Sequence, residues 1–171
     1  MMTLYHGSYT AVEKPLAKAG RRNLDFGHGF YVTKLKEQAK AWAEIIASRK
    51  GRNVLPVLNT YTFNREQAEK DGIRFKCFDT YNLEWLDYVV ACRKGKDFSA
   101  DFDVVEGGVA NDNVIDTVED YEKGIITAEQ ALGQLRYKKV NHQICILNQA
   151  VIDKYLKYNN SISINTMEDK V

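Results

Sequence analysis

The sequence predicts an α+β fold, because strand-like and helical runs follow one another neither in regular alternation nor at hairpin spacing. With 171 residues, of which 44% are hydrophobic and 27% charged, the chain has the composition of an ordinary globular domain. Its apolar runs end before the last dozen residues, which are mostly polar. We therefore expect a single domain over residues 1–158 and a polar C-terminal tail over residues 159–171.

The first half of the chain predicts three strands and two helices: strand 3–6, strand 30–33, helix 34–48, strand 54–63 and helix 64–70. The stretch from Val12 to Asp25 has no persistent period and indicates a loop. The longer helix has apolar residues, including Trp42, at a spacing near 3.6, and Thr33 is placed to cap it. Pro56, near the start of a strand rich in β-branched and aromatic residues, indicates an edge strand.

The second half continues in the predicted order strand 73–78, helix 83–95, strand 103–106, helix 112–122, helix 127–136, strand 143–147 and helix 149–156. Apolar and basic residues alternate in the first of these strands, as in a half-buried strand. Asn82 is placed to cap the next helix, with Leu83, Leu86 and Val90 facing inward.

Charge and cysteine content narrow the class of protein. The net charge of +1 gives no overall field that would favour nucleic acid, although a local basic patch is compatible with it. The three cysteines form no CxxC pair, Met1 to Gly7 lacks the cationic stretch and apolar run expected of a secretory leader, and no apolar run reaches the length of a membrane span. We expect a cytoplasmic protein without a membrane partner. No spacing of Cys, His and Asp fits a zinc site.

The first candidate site is the string Leu4-Tyr5-His6-Gly7-Ser8. An imidazole at the end of a strand can hydrogen-bond a ligand hydroxyl, and an adjacent glycine allows a ligand close to the backbone. The alternative is a partly exposed histidine before a turn.

The second candidate site is the run Gly27-His28-Gly29-Phe30-Tyr31, in which two glycines precede an aromatic pair on a strand. Alternation places the two rings on opposite faces, so one can line a cleft. Trp42 follows Tyr31 on the next helix, and the two rings could form the walls of a slot for a flat heteroaromatic ring. The alternative is that Trp42 is a large core residue of an amphipathic helix.

Together these strings resemble the NAD-binding half of ADP-ribosyltransferases, in the diphtheria-toxin and poly(ADP-ribose)-polymerase-like branch with its His-Tyr-Glu triad. The run from Asp25 to Thr33, followed by Gln38-Ala39 and Trp42-Ala43, is similar to the bacterial DUF3990 family, which is regarded as a relative of these enzymes and is often found in toxin–antitoxin gene pairs. The resemblance implies a split antiparallel β-sheet core with flanking helices around an NAD cleft.

The resemblance also implies an activity, namely transfer of one ADP-ribose from NAD, as co-substrate and without a metal, to an unknown macromolecular acceptor, either protein or nucleic acid. An antitoxin protein is an implied partner. His6 would hold the nicotinamide-side ribose 2′-hydroxyl and Gly7 the carboxamide, while Tyr31 and Trp42 would cover the two faces of nicotinamide. Ser8 and Thr33 complete the implied NAD-binding residues.

The third member of the triad differs. The late strand that should open with glutamate has Gln143, in the string Asn141-His142-Gln143-Ile144. Glutamine can hydrogen-bond ribose but has no charge and cannot act as a base. This leaves a second hypothesis, a catalytically silent NAD- or ADP-ribose-binding module or interaction domain.

If another residue supplies the acid, the candidates lie near Gly107-Gly108. Glu106 precedes the glycines, and Asn111 and Asp112 follow them. The alternatives are that Glu106 is solvated and that Asp112 caps the next helix.

Overall fold

The computed structural model describes residues 1–110, 114–136 and 141–164. Over these residues the chain has seven strands and six helices, which confirms the mixed α+β class. The strands are β1 (Met2–Ser8), β2 (Phe30–Val32), β3 (Val57–Phe63), β4 (Phe75–Cys77), β5 (Val104–Gly107), β6 (Gln143–Ile146) and β7 (Leu156–Ser163). The helices are α1 (Lys36–Lys50), α2 (Arg65–Lys70), α3 (Leu83–Arg93), α4 (Ile115–Glu122), α5 (Ala128–Leu135) and α6 (Gln149–Tyr155). None of these described helices is long and apolar enough to cross a membrane.

The described residues form two compact units. Unit 1 contains Met1–Leu16, Tyr31–Ile73 and the described residues from Gln149 onward. Unit 2 contains Ala17–Phe30 and the described residues of Arg74–Asn148.

Unit 1 is built on an antiparallel sheet with the strand order β1-β3-β7. The prediction that β3 is an edge strand is wrong, because β3 lies in the centre. Pro56 is compatible with that position since it precedes the first residue of β3, and its carbonyl oxygen accepts from the backbone N of Ile164 at 2.8 Å. Helix α1 packs on β1 and buries Ala39, Ala43 and Ala47.

Strand β7 is absent from the sequence prediction, which expects a helix to residue 156 and a polar tail from 159. The strand begins directly after α6 and pairs with all seven residues of β3. Most of its side chains are exposed or half-buried. Backbone hydrogen bonds to β3 therefore form this strand. Its apolar residues Leu156, Tyr158 and Ile162 stand at even positions, but Asn160 interrupts this period and no turn separates the strand from α6.

The second sheet has the strand order β2-β6-β5-β4. Strands β4, β5 and β6 lie in unit 2, and β2 begins in this unit at Phe30. β5 and β6 are antiparallel, but β4 and β5 are parallel, so the sheet is not wholly antiparallel as expected. Helix α3 buries Trp85, Leu86 and Val89. Leu83, predicted to face inward, is exposed.

Two predicted helix starts are also wrong. The N-cap of α1 is Leu35 and not Thr33, whose hydroxyl accepts from the backbone N of Leu35 at 3.1 Å. Helix α4 begins at Ile115 with Val114 as N-cap, three residues after the predicted start.

Candidate functional site

His6 lies near the end of β1, half-buried in unit 1. Its Nδ1 donates to the backbone oxygen of Tyr31 at 2.7 Å. A carbonyl oxygen only accepts hydrogen bonds, so Nδ1 carries the proton and Nε2 of the neutral ring is an acceptor. Burial holds the pKa of His6 below its usual value of 6.5. The imidazole is therefore neutral at pH 7, with Nδ1 as a hydrogen-bond donor and Nε2 in its acceptor form.

Two backbone hydrogen bonds join β1 to the residue that follows β2. Tyr5 N donates to Thr33 O at 2.8 Å, and Thr33 N donates to Tyr5 O at 2.9 Å. They align Tyr31 with His6, so these two residues, predicted to act together, are neighbours in unit 1. Ser8, at the end of β1, and Thr33 are both buried there.

Gly7 is required by packing, whatever it binds. A Cβ at this position would overlap the carbonyl oxygen of Ala39 and lie 2.7 Å from the backbone N of Ala43. The glycine thus allows the backbone of α1 to approach β1, which is a use of Gly7 that its place in the string does not indicate.

Trp42 is on α1 with 43% of its surface exposed. The alternative that it is a core residue of this helix is therefore wrong. The guanidinium carbon of Arg49 lies 6.0 Å from the centroid of the indole ring.

Gln143 is the first residue of β6, in unit 2, and is buried. Its Nε2 donates to the carboxylate of Asp25 at 3.3 Å and to the carbonyl oxygen of Gly108 at 3.2 Å. Both neighbours only accept, which fixes the orientation of the amide and engages both of its N–H groups. The Nε1 of Trp85 donates to the same carbonyl at 3.1 Å.

Asp25 is the functional-site candidate whose environment sequence reasoning missed. Its side chain is buried, and Arg93 donates to Oδ1 from Nε at 3.0 Å and from Nη2 at 2.9 Å. Oδ2 accepts from the backbone N of Ala110 at 2.8 Å as well as from Gln143. The signal in the sequence is an acid directly before Phe26-Gly27, but its cation is 68 residues away.

Glu106 is buried in β5, so the alternative that it is solvated is wrong. The Nε2 of His142 donates to its carboxylate at 2.8 Å. Glu106 is in register with Ile144 of β6. Side chains alternate along a strand, so the pair of Glu106 and His142 occupies the face opposite to that of Gln143.

Asn59, fully buried in the centre of β3, was also missed. Its Oδ1 accepts from Val12 N at 2.7 Å and from Ser161 Oγ at 2.6 Å. Its Nδ2 donates to the backbone oxygens of His6 at 3.3 Å and Thr10 at 3.2 Å. A polar residue inside an apolar strand was the available signal, and its role is to hold the end of β1.

Two further predicted residues, Asn111 and Asp112, lie outside the described residues. Within the described ranges, no group of three or more His, Cys, Asp or Glu side chains could hold a metal ion.

Comparison with known proteins adds one finding. The model of the family described as "Protein of unknown function (DUF3990)" matches residues 2–158. No curated protein and no solved structure matches the chain significantly. The family match covers both described units almost completely, and on that basis the chain belongs to the DUF3990 family.

Proposed function

We propose that this chain is an NAD-dependent mono-ADP-ribosyltransferase with an ADP-ribosyltransferase-like fold. In this reaction the bond between nicotinamide and ribose C1′ breaks, and nicotinamide leaves with the bonding electron pair. A nucleophilic X–H group of a macromolecular acceptor forms the new bond to C1′ and releases a proton. The residues proposed to act are His6, Gly7 and Tyr31 of unit 1.

The observation that carries the proposal is the fixed, neutral imidazole of His6. The Nδ1–H is held by the backbone oxygen of Tyr31 at 2.7 Å, and the low pKa of the ring preserves Nε2 as an acceptor. A ribose hydroxyl is a donor of the kind that this nitrogen would bind. A hydrogen bond of this kind orients the sugar without adding charge next to the cationic nicotinamide ring.

In the proposed site Tyr31 covers one face of the nicotinamide ring, and Trp42 does not cover the other. The Trp42 ring already has the Arg49 guanidinium beside it. A cationic nicotinamide ring on the same indole would meet the like charge of Arg49. The second face of the slot is therefore unassigned.

Gln143 limits the reaction to a simple transfer. Both of its N–H groups are engaged by Asp25 and Gly108, and it cannot take a proton from an acceptor. The nucleophile must therefore be reactive in its own right, and elongation to a polymer is not expected.

The test is release of nicotinamide and transfer of label from labelled NAD to protein, RNA or DNA acceptors. His6→Ala should abolish both, whereas His28→Ala is the matched control, because His28 is also half-buried and its Nε2 hydrogen-bonds the backbone oxygen of Gly20 at 2.9 Å, within unit 2. Absence of nicotinamide release by the folded wild type would overturn the enzyme proposal. Because burial lowers the pKa of His6, NAD binding should be lost only at a pH below that at which an exposed histidine takes up its proton.

The second candidate function is a catalytically silent NAD- or ADP-ribose-binding module, which the internal engagement of Gln143 favours. Calorimetry distinguishes the two: NAD binding that His6→Ala removes, with no nicotinamide release, supports the silent module. As a toxin, the active enzyme should also arrest growth of an expressing cell, and His6→Ala should relieve the arrest.

A further inference from the structure

Two aromatic rings of unit 1 are exposed next to the C-terminal half of α1. Trp42 is 43% exposed and Tyr9, which follows β1, is 42% exposed. The core-facing positions of α1 are alanines, so neither ring is needed to pack this helix. One exposed aromatic residue is ordinary, but here two exposed rings lie beside one helix and both have a cation next to them.

Each ring has a cation beside it. Arg49 lies 6.0 Å from the centroid of Trp42, and the Nζ of Lys50 lies 4.8 Å from the centroid of Tyr9, both within the range of cation–π contact. Arg52 is exposed two residues further along. We call these five residues, Tyr9, Trp42, Arg49, Lys50 and Arg52, the aromatic-basic surface.

The acidic residues of α1 are on another side of the helix. At 3.6 residues per turn, Glu37 and Glu44 lie roughly 140–160° around the axis from Trp42. Glu37 is paired with Lys40 at 3.1 Å. Attraction to the negative end of the helix dipole explains basic residues in a last turn, but it does not explain two exposed rings beside them.

We propose that the aromatic-basic surface binds single-stranded nucleic acid. Unpaired bases would stack on Trp42 and Tyr9, while Arg49, Lys50 and Arg52 would contact phosphates. Stacking platforms combined with cations are the chemistry that binds single strands with little sequence preference. An acidic protein would pair with the cations but would not account for the exposed rings. In a duplex the bases are already stacked on one another and cannot stack on the rings. The proposal does not depend on NAD chemistry; if the transferase proposal holds, the bound strand is a candidate acceptor.

The two tryptophans of the chain make the test specific, because Trp85 is fully buried and Trp42 is exposed. The full chain is titrated with a single-stranded oligonucleotide of about 10 nucleotides, following its anisotropy and the tryptophan emission. We expect quenching of Trp42, loss of that quenching in Trp42→Ala, and at least about tenfold weaker binding by this variant. Trp42→Phe should retain most of the affinity.

The dependence of the affinity on salt concentration tests the phosphate contacts. Each neutralised phosphate of a single strand contributes about 0.7 to the slope of log affinity against log salt, so Arg49→Gln with Lys50→Gln should lower the slope by about 1.4. Lys40→Gln, on the side of the acidic residues, is the matched control and should change neither slope nor affinity. Circular dichroism verifies that each variant is folded.

Three outcomes would overturn the proposal. One is the absence of binding by the wild type at about 0.1 M salt. Another is equal affinity for heparin, a duplex and the single strand, with Trp42→Ala binding as tightly as the wild type, which would indicate only charge attraction. The last is preference for anionic lipid vesicles over the oligonucleotide, which would assign this surface to a membrane.

Discussion

The amide of Gln143 and the carboxylate of Asp25 form one buried hydrogen-bonded group with Arg93. The carboxylate accepts four hydrogen bonds, two of them from the guanidinium, and is thereby compensated for the loss of water. Such a group tolerates a donor at position 143 but not a second acceptor. The structure therefore explains why residue 143 is a glutamine, whether or not the chain is an enzyme.

Gln143→Glu should lower the free energy of unfolding by about 2–3 kcal/mol at pH 7. The substitution removes the donors to Asp25 and Gly108 and sets two carboxylates side by side. The pKa of the new carboxyl would be raised in the folded state above its unfolded value, near 4.3. The loss of stability is therefore present at pH 7 and shrinks as the pH falls towards about 4. Urea unfolding at pH 7 and pH 5 measures it.

Gln143→Met separates charge from hydrogen bonding, because it has a similar length, no donor and no charge. Its loss of stability should not depend on pH. Equal stability of Gln143→Glu and the wild type at pH 7 would contradict this account of the buried group.

Asp103 gives unit 2 a stability that depends on pH. Hydrogen bonds from the Arg74 side chain, the largest cause, and from Asn148 lower the pKa of Asp103 to about 2. A lowered pKa in the folded state gives stability that is present above the unfolded pKa, near 3.9, and is lost as the pH falls towards 2. Asp103→Asn should cost about 2 kcal/mol at pH 7 and progressively less below pH 4.

Asp101→Asn is the control for Asp103, because Asp101 is exposed nearby. Denaturant unfolding of the three proteins from pH 7 to pH 2 measures the effect. A difference between Asp103→Asn and the wild type that is constant over this range would exclude the ion pair as its source.

At the scale of elements, the contact between α1 and β1 depends on one missing methyl group. Gly7→Ala should lower the free energy of unfolding by at least about 3 kcal/mol, because the added Cβ meets backbone atoms of Ala39 and Ala43 that cannot rotate away. Displacement of α1 would also disturb β1 next to His6. Thermal unfolding and the NAD-binding assay measure the two effects.

Gly133→Ala is the matched control, since Gly133 lies within α5 and an added Cβ there meets no atom within 4 Å. This substitution should stabilise the protein by about 0.5–1 kcal/mol through the higher helix propensity of alanine. Opposite signs for the same chemical change would show that packing, and not backbone freedom, requires Gly7. A stable Gly7→Ala protein would contradict the contact.

For the whole molecule, a feature could be predicted from the sequence when it depends on residues that are close together in the chain. The order of the helices and of six strands was predictable, because periodicity and capping residues such as Asn82 act over a few positions. Strand β7 was not, since Asn160 interrupts its apolar alternation, no turn separates it from α6, and its partner β3 is about 100 residues earlier. The same reason applies to strand order and to the parallel pair β4–β5.

In the candidate site, too, local strings could be recognised from the sequence and distant partners could not. His6 and Tyr31 could be assigned to one candidate site because each lies in a short, recognisable string. The ion pair of Asp25 and Arg93 and the four hydrogen bonds of Asn59 could not be predicted. Each of these buried polar side chains bonds to residues that are distant in sequence. Position 143 shows the consequence: the resemblance to a triad predicts an acid there, and only the buried neighbours explain the amide.

The C-terminal limit of the fold gives the last prediction. Residue 158 is the end of both the expected domain and the family match, but β7 continues to Ser163. A chain ending at 158 loses the pairing of Asn160–Ser163 with Val57–Thr60 and the hydrogen bond from Ser161 to the buried Asn59. We expect a loss of roughly 3 kcal/mol, or a Tm lower by about 6–12 °C. A chain ending at 164 keeps all of β7 and should unfold like the full chain. Equal Tm values for the two shortened chains, measured by circular dichroism, would show that β7 contributes nothing beyond residue 158.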